Sequence, residues 1–169
     1  EVENSEIFAR QNTEENVSRA VSEIIAEVVK NGDKALVSYA EKFDGANLAA
    51  LEVTDAEIKE AFGAVDPAFI AVLEEAAVNI RHFHEKQVRS SFVINDKDGV
   101  VMGQKVMPIE KVGIYVPGGT AAYPSTVLMD SIPAKIAGGA EIVMVTPPLA
   151  SGKVNPVILA AAKIAGIDR

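Results

Sequence analysis

The sequence contains no cysteine. This absence excludes a disulfide framework, thiolate catalysis and a cysteine-ligated metal. Histidine is scarce as well, since His82 and His84 are the only two in the chain. Residues two apart on a regular helix point to nearly opposite sides, so this pair cannot bind one metal ion from a helix. We therefore expect no metal ligands and no catalytic histidine in this chain.

Positive charge and long apolar runs are scarce too. The chain has 16 basic against 24 acidic residues, a net charge of −8, and its basic residues are scattered. This distribution argues against nucleic acid or an anionic membrane as a partner. The longest uncharged stretch, residues 112–129, is interrupted by glycine and proline. No signal peptide or membrane span is predicted, and a cytoplasmic protein is expected.

Residues 12–45 are predicted to form two helices. Asn12 and Glu15 resemble a capping box, and a second helix over residues 34–43 is capped by Asp33. The spacing in the first helix predicts that it buries one apolar face. That face contains Val17, Val21, Ile24, Ile25 and Val28.

Two further helices are predicted between residues 54 and 87. Thr54 and Glu57 form a capping box ahead of a short helix. Asp66 followed by Pro67 is typical of an N-cap and first helical residue, and the spacing beyond it predicts a long helix to about residue 87. Its apolar stripe is too short for a coiled coil, so it is expected to lie across a sheet or against the first helices.

Beyond residue 90 the pattern changes to that of extended strands. Residues 91–95 and 100–107 flank a polar turn that ends in Asp-Gly, which predicts a β-hairpin. Strand, helix, strand and helix then alternate, which indicates parallel pairing with right-handed crossovers. Pro133 leaves open whether the first of these helices kinks or is two short pieces, with Ser131 capping the second. The four predicted elements are a strand at 112–116, a helix from Ser125, a strand at 141–146 and a helix at 155–165.

The predicted organisation is a single compact unit of α/β class. The 169 residues, 49% of them hydrophobic, suffice for one sizeable core and are few for two full domains. Residues 1–90 are expected to form a helical segment that packs on an α/β domain at 91–169. Residues 166–169 follow an alanine-rich helix as a linker precedes a parallel strand, so we expect the domain to be truncated at 169.

The most informative segment is residues 112–133. Its apolar run breaks at Pro117-Gly118-Gly119, and a helical pattern resumes at Ser125, which is interpreted as the helix cap. Such loops place backbone N–H groups and a helix N-terminus where a phosphate-bearing cofactor binds. The alternative is an ordinary turn whose two glycines supply positive φ angles, and the glycines alone favour it. No nucleophile elbow, Walker A loop or G-x-G-x-x-G fingerprint occurs.

Several segments in this order resemble the N-terminal part of histidinol dehydrogenase. The resemblance covers nearly the whole chain, and the combination is specific. The segments are GDKALVSYAEKFDG at 32–45, NIRHFHEKQ at 79–87, GIYVPGGTAAYPSTVLM at 113–129, PAKIAGGAEIVMVTPP at 133–148 and AAAKIAGIDR at 160–169.

The resemblance implies a fold, an activity and a cofactor site. The fold implied is α/β: N-terminal helices and a β-hairpin, then a βαβα unit of an incomplete Rossmann-like parallel sheet. The activity implied for the full-length homodimer is NAD-dependent oxidation of L-histidinol, through the aldehyde, to L-histidine, with a zinc ion. The family's NAD-contacting tyrosine matches Tyr115, and Pro117, Gly118 and Gly119 are expected to form the adjacent loop. On the residues alone, Tyr115 reads instead as an aromatic packed beneath the sheet with its hydroxyl bonded to backbone.

The resemblance also implies an absence. The family's acid–base glutamate and histidine, its zinc ligands and its substrate-binding residues lie in later segments, and His82 and His84 match none of them. The polypeptide alone is therefore expected to be inactive, because those groups supply most of the barrier reduction. Two alternatives stay open: a stand-alone nucleotide-binding or interaction module without chemistry, and a related dehydrogenase that acts on another amino alcohol.

Overall fold

The computed structural model describes residues 14–118 and 121–169, with side chains from Val17 onward. The chain separates into two compact units, one ending at Tyr39 and one comprising Ala40–Arg169. Among the described residues, no helix combines the length and the apolar character that a membrane span requires. The domain boundary expected near residue 90 stays a prediction.

The described part of the first unit forms two helices, α1 (Glu14–Asn31) and α2 (Asp33–Tyr39). Gly32 joins them with a φ of +57°. Because L side chains rarely adopt this conformation, a glycine suits the position at which α1 ends. The predicted capping pair of Asn12 and Glu15 lies outside the described side chains.

The apolar stripe of α1 is largely exposed. Val17, Val21 and Ile25 are exposed, whereas Ile24 and Val28 are half-buried. The prediction that this helix buries one face is wrong for the first three residues. Within the described part of this unit, the short α2 is the element that packs against α1, and it is too small to cover the stripe.

The predicted helix over residues 34–43 changes its form part-way. Its α-helical part ends at Tyr39, and a π-helix, Ala40–Asp44, follows. Gly45, with a φ of +66°, donates its N–H to the Glu41 carbonyl at 3.1 Å. The helical segment thus ends at Asp44, one residue beyond the predicted end, and the sequence pattern does not reveal the wider π turn.

Helices α3 (Asp55–Ala64) and α4 (Pro67–Glu85) begin at the predicted caps. The Thr54 N–H donates to Glu57 Oε2 at 2.8 Å, and the Glu57 N–H donates to Thr54 Oγ1 at 3.3 Å, which completes a capping box. The Asp66 carboxylate accepts from a first-turn N–H at 2.8 Å. Both predicted helix starts are confirmed, since each cap satisfies N–H groups that lack a partner within the helix.

The predicted β-hairpin is confirmed as an antiparallel pair, β1 (Phe92–Lys97) and β2 (Val100–Gln104). Asp98 and Gly99 form the turn, and Gly99 has the positive φ, +77°, that a tight hairpin turn demands. Every residue of both strands is exposed. No described element covers either face of this hairpin.

The predicted βαβα unit is confirmed by four elements in order. They are β3 (Lys111–Tyr115), α5 (Pro124–Ile136), β4 (Glu141–Val145) and α6 (Pro156–Ala165). Strands β3 and β4 pair in parallel, in a register that joins Lys111 to Glu141 and Tyr115 to Val145. Two parallel strands joined through a helix form the minimal piece of a Rossmann-like sheet.

Helix α5 is one helix although it contains Pro133. The Ser131 hydroxyl is buried and donates to the Val127 carbonyl at 2.6 Å within the helix. This hydrogen bond within the helix satisfies the buried hydroxyl group of Ser131. Ser131 therefore does not cap a second helix, and the two-helix alternative is wrong.

The main core lies among α4, α5 and α6 and one face of the β3–β4 sheet. Helix α3 packs on the outside of α6. The core includes fully buried side chains from α5, from α6 and from Val116 at the start of the loop after β3, so packing fixes the position of Val116. These side chains are Val116, Val127, Leu128, Ile132 and Ile158.

The residues that follow α6 run along the outer edge of β4. The Met144 N–H donates to the Arg169 carbonyl at 2.8 Å, and the Arg169 N–H donates to the Ile142 carbonyl at 3.2 Å. This pair of hydrogen bonds is the pattern of a parallel ladder. Asp168 accepts from the Lys135 ammonium at 2.6 Å, and the Arg169 guanidinium donates two hydrogen bonds to Glu52 at 3.0 Å.

Candidate functional site

Tyr115 is the last residue of β3 and its side chain is 61% exposed. Its neighbours Ile114 and Val116 are buried, as the alternation of a strand requires. Tyr115 therefore projects from the sheet face opposite the core. The alternative in which this aromatic packs beneath the sheet is wrong.

The face that carries Tyr115 is open. Lys111, Gly113 and Tyr115 lie on it in β3, each beside a residue of β4. The first pair is an ion pair, with Lys111 Nζ 2.8 Å from Glu141 Oε2. Nothing lies within 4 Å of the position that a Cβ would take at Gly113, so the middle of this face offers room. Tyr115 and the exposed Val145 form the apolar end of the face.

The segment after β3 is held against the loop after β4. The Val116 N–H donates to the Val145 carbonyl at 3.0 Å, which extends the parallel pairing past Tyr115. A Cβ at Gly118 would lie 3.1 Å from Thr146 Oγ1 and 3.4 Å from Pro147 Cδ. Gly118 thus lies close to the loop after β4, and a side chain at this position would require that loop to shift.

The close approach of the neighbouring loop favours glycine at position 118. Its φ is not positive, so the interpretation in which both glycines supply positive φ angles is wrong for Gly118. A side chain would press on the neighbouring loop instead. Gly119 lies outside the described residues. Of the four residues proposed for the cofactor site, the structure thus places Tyr115, Pro117 and Gly118 together at the carboxyl end of β3.

Helix α5 begins at Pro124, with Tyr123 at the N-cap and no side-chain hydrogen bond to the first turn. Ser125 is therefore inside the first turn, and its interpretation as the cap is wrong. The Thr126 N–H is satisfied by the Tyr123 carbonyl at 3.1 Å. In contrast, α6 is capped by the Asn155 side chain.

The histidines contribute nothing to this site. Both lie in the last turn of α4, where His84 Nδ1 is 2.7 Å from Gln87 Oε1 and His82 is exposed. Across the described residues, no group of three histidine, aspartate or glutamate side chains is placed to hold a metal ion. A zinc ion therefore does not fit this part of the chain.

The perturbed carboxylates serve structural roles. Hydrogen bonds from the Lys135 side chain and the Ile142 N–H hold the pKa of Asp168 below its ordinary value. Hydrogen bonding to Thr54 lowers the pKa of Glu57, and the Arg169 guanidinium lowers that of Glu52. A lowered pKa makes a carboxylate a weaker base, the opposite of what a general base needs near neutral pH.

A small cleft between α3 and α6 does not compete with this site. Glu57, Glu60 and Lys153 are among its lining residues, and Lys153 Nζ lies 3.0 Å from Glu60 Oε1. Its volume is about 60 Å³. A space of this size holds a few water molecules and is too small for a dinucleotide.

The parallel β3–β4 pair, crossed by α5 and followed by α6, defines an α/β chain with an incomplete Rossmann-like sheet. A sequence model of the family described as histidinol dehydrogenase matches residues 8–169. The chain belongs to the histidinol dehydrogenase family.

Relatives and a solved structure agree with this assignment. Over 166 residues the chain is 51% identical to the histidinol dehydrogenase of Listeria monocytogenes, covering 97% of this chain and 39% of that protein. Over 153 residues it is 52% identical to that of Clostridium acetobutylicum, covering 90% and 36%. A crystal structure of histidinol dehydrogenase from Elizabethkingia anophelis superposes with a TM-score of 0.88 at 39% identity, covering 95% of this chain and 37% of that one. The chain thus spans less than two fifths of these proteins and corresponds to an N-terminal portion.

Sequence reasoning missed the loop after β4. Val145, Thr146 and Pro147 lie beside the segment after Tyr115, yet the sequence shows them only as a strand end and a turn. The signal that identifies them is topological. Carboxyl ends of adjacent parallel strands meet at one sheet edge, where α/β proteins bind their ligands.

Proposed function

We propose that this chain is the cofactor-facing N-terminal portion of an NAD-dependent L-histidinol dehydrogenase. The full-length enzyme would oxidise L-histidinol, through the aldehyde, to L-histidine, in the cytoplasm. The match of residues 8–169 to the histidinol dehydrogenase family carries this proposal.

Within that function, Tyr115 contacts NAD and Pro117, Gly118 and Gly119 form the adjacent wall. Three observations support this role: Tyr115 is exposed, it ends a parallel strand, and it shares a sheet face with Gly113, where nothing lies within 4 Å of a Cβ position. An exposed tyrosine offers an aromatic face for stacking and a hydroxyl for one hydrogen bond. NAD supplies the hydride acceptor, and the residues of this chain bind and orient it.

The acid–base and metal chemistry is assigned to polypeptide outside this chain. The described residues do not fit a zinc ion, and their carboxylates with a lowered pKa are engaged in caps and ion pairs. A dehydrogenase must also move a proton when hydride leaves a carbinol carbon. Since no described group is placed for that step beside Tyr115, the chain alone is proposed to be inactive.

Two exposed apolar surfaces support the proposal that this chain is part of a larger assembly. Parallel sheets are normally covered on both faces, yet the face carrying Tyr115 and Val145 is open. The hairpin exposes Val93 on one face and Met102 on the other, and an isolated two-stranded hairpin is marginal in water. We propose that later segments of the enzyme, in its own subunit or in the second subunit of a homodimer, cover these surfaces.

The proposal is tested with the full-length protein and with the 169-residue chain. L-Histidinol and NAD are expected to yield NADH with the full-length protein and none with the shorter chain. Other amino alcohols, assayed in parallel, identify the substrate class. NADH formation with another amino alcohol but not with L-histidinol would replace the proposed substrate. Absence of NADH with every substrate would contradict the enzymatic function.

A further inference from the structure

The contact between Gly118 and Thr146 lies beside the proposed cofactor site and has no part in the main core. The atom nearest to a Cβ at Gly118 would be Thr146 Oγ1, at 3.1 Å, ahead of two atoms of Pro147 at 3.4 Å. Distances of 3.0 to 3.4 Å are tighter than ordinary van der Waals contact. Gly118 therefore lies next to the Thr146 side chain, which limits how closely the backbone after Tyr115 approaches the loop after β4.

Thr146 is itself well fixed. It precedes Pro147, and the residue before a proline is restricted to extended backbone. Its side chain is β-branched, so few rotamers are available. The preceding Val145 carbonyl accepts the Val116 N–H, which holds the same loop from its other end. Because the Thr146 side chain is restrained, it fixes the separation between the loop after β4 and the backbone of Gly118.

We propose that Thr146 is a positioning residue of the cofactor site: its side chain sets the height of the Pro117 and Gly118 backbone beside Tyr115. This inference rests on the proposed function, because it assumes that the loop contacts NAD. Thr146 acts through Gly118, by shape, and makes no step of the reaction.

The shape of Thr146, and not its hydroxyl as a hydrogen-bonding group, is the property that this role requires. Valine places a methyl group where threonine has Oγ1, so Thr146→Val keeps the contact with Gly118. Thr146→Ala removes it. In contrast, a side chain at Gly118 displaces the backbone of Pro117 and Gly118 while Thr146 itself is unchanged.

The test is a double-mutant cycle in the full-length enzyme, with the KM for NAD, the KM for L-histidinol and kcat measured for each variant. Gly118→Ala is expected to raise the KM for NAD about tenfold, because overpacking displaces the loop. Thr146→Ala is expected to raise it about threefold, and Thr146→Val to leave it within about twofold. The variant with both alanines is expected to stay near the Thr146→Ala value, because removing the γ atoms relieves the clash.

Gly139→Ala is the matched control. A Cβ at Gly139 would also meet an atom at 3.1 Å, the Ala134 carbonyl oxygen, but beyond the end of α5 and before β4 begins. This variant is expected to lower the melting temperature while the KM for NAD of the folded enzyme stays unchanged. It separates a general packing defect from a displaced loop.

Three results would overturn the role of Thr146. The first is a KM for NAD in the variant with both alanines that rises by the product of the two single effects. The second is an unchanged KM for NAD in Gly118→Ala. The last is a rise of this KM in Thr146→Val as large as in Thr146→Ala. The last would show that the hydroxyl acts by hydrogen bonding. Failure of the unsubstituted full-length enzyme to reduce NAD with L-histidinol is a different outcome, because it contradicts the proposed function before any variant is compared.

Discussion

Tyr115 and Val145 stand side by side at the carboxyl ends of two parallel strands, and their side chains are 61% and 56% exposed. An aromatic ring beside an apolar side chain, at the ligand-binding edge of an α/β sheet, offers a surface on which a planar ring can stack. The same pairing brings the glycine loop after Tyr115 against the loop after Val145. The pairing of Tyr115 with Val145 thus brings the residues of the candidate site together.

Replacing Tyr115 is expected to weaken NAD binding by the full-length enzyme. Tyr115→Ala removes the aromatic face and is predicted to raise the KM for NAD roughly threefold to tenfold. Tyr115→Phe retains the ring and is predicted to raise the KM for NAD less than Tyr115→Ala does. Steady-state kinetics at saturating L-histidinol check both values. An unchanged KM in Tyr115→Ala would exclude a cofactor contact.

The sequence predicts those parts of the fold that local signals encode. Thr54 with Glu57, Asp66 with Pro67, and the Asp98-Gly99 turn each act within a few residues, so their positions are confirmed. The alternation of strands and helices likewise predicts the parallel pairing.

What the sequence does not predict depends on contacts between distant segments. Gly118 approaches Thr146 across the sheet, and nothing near Gly118 in the chain reveals that contact. The exposure of Val21 depends on which elements pack against α1. The cofactor role predicted for Tyr115 rests on the resemblance to the family, since the residues alone favour a packed strand aromatic.

The capping box of α3 is expected to contribute measurably to stability. Thr54→Ala removes the side-chain acceptor for the Glu57 N–H and is predicted to lower the free energy of unfolding by about 1 kcal/mol. Thr54→Ser keeps a hydroxyl there and serves as the control. Urea unfolding of the 169-residue chain measures the difference. Equal losses in both variants would show that the methyl group, not the cap, matters.

Asp168 is expected to stabilise the fold above mildly acidic pH. Hydrogen bonds from Lys135 and from the Ile142 N–H lower its pKa in the folded state. Its contribution is therefore complete above the unfolded pKa, about 4, and is lost as the pH falls through the lower folded value. Asp168→Asn is predicted to destabilise the chain at neutral pH and to differ less and less from the native chain as the pH falls through the lowered folded pKa. A pH-independent difference in urea midpoints would contradict this assignment.

The exposed hairpin is expected to drive self-association of the 169-residue chain. Val93 and Val101 are 73% and 74% exposed. Val101→Lys adds charge to this surface and is predicted to shift the chain towards monomer with little change in melting temperature. Light scattering across a concentration series measures the effect. Lys97→Arg, which keeps the charge, is the control, and equal association in all three proteins would show that another surface is responsible.

The chain alone is expected to bind NAD weakly, because the open face beside Tyr115 lacks the further walls of a cofactor crevice. Isothermal titration calorimetry of the 169-residue chain with NAD measures this affinity. Tight binding that Tyr115→Ala abolishes would show that this chain carries a complete cofactor site.

We propose that this chain supplies the cofactor wall of an enzyme whose acid–base and metal-binding groups lie outside it. The most direct measurement is NADH formation from L-histidinol and NAD by the full-length protein and by the 169-residue chain, at equal molar concentration. Steady NADH production by the full-length protein, with none above background from the shorter chain, is the predicted result. L-Histidinol-dependent NADH production by the 169-residue chain itself would contradict the claim.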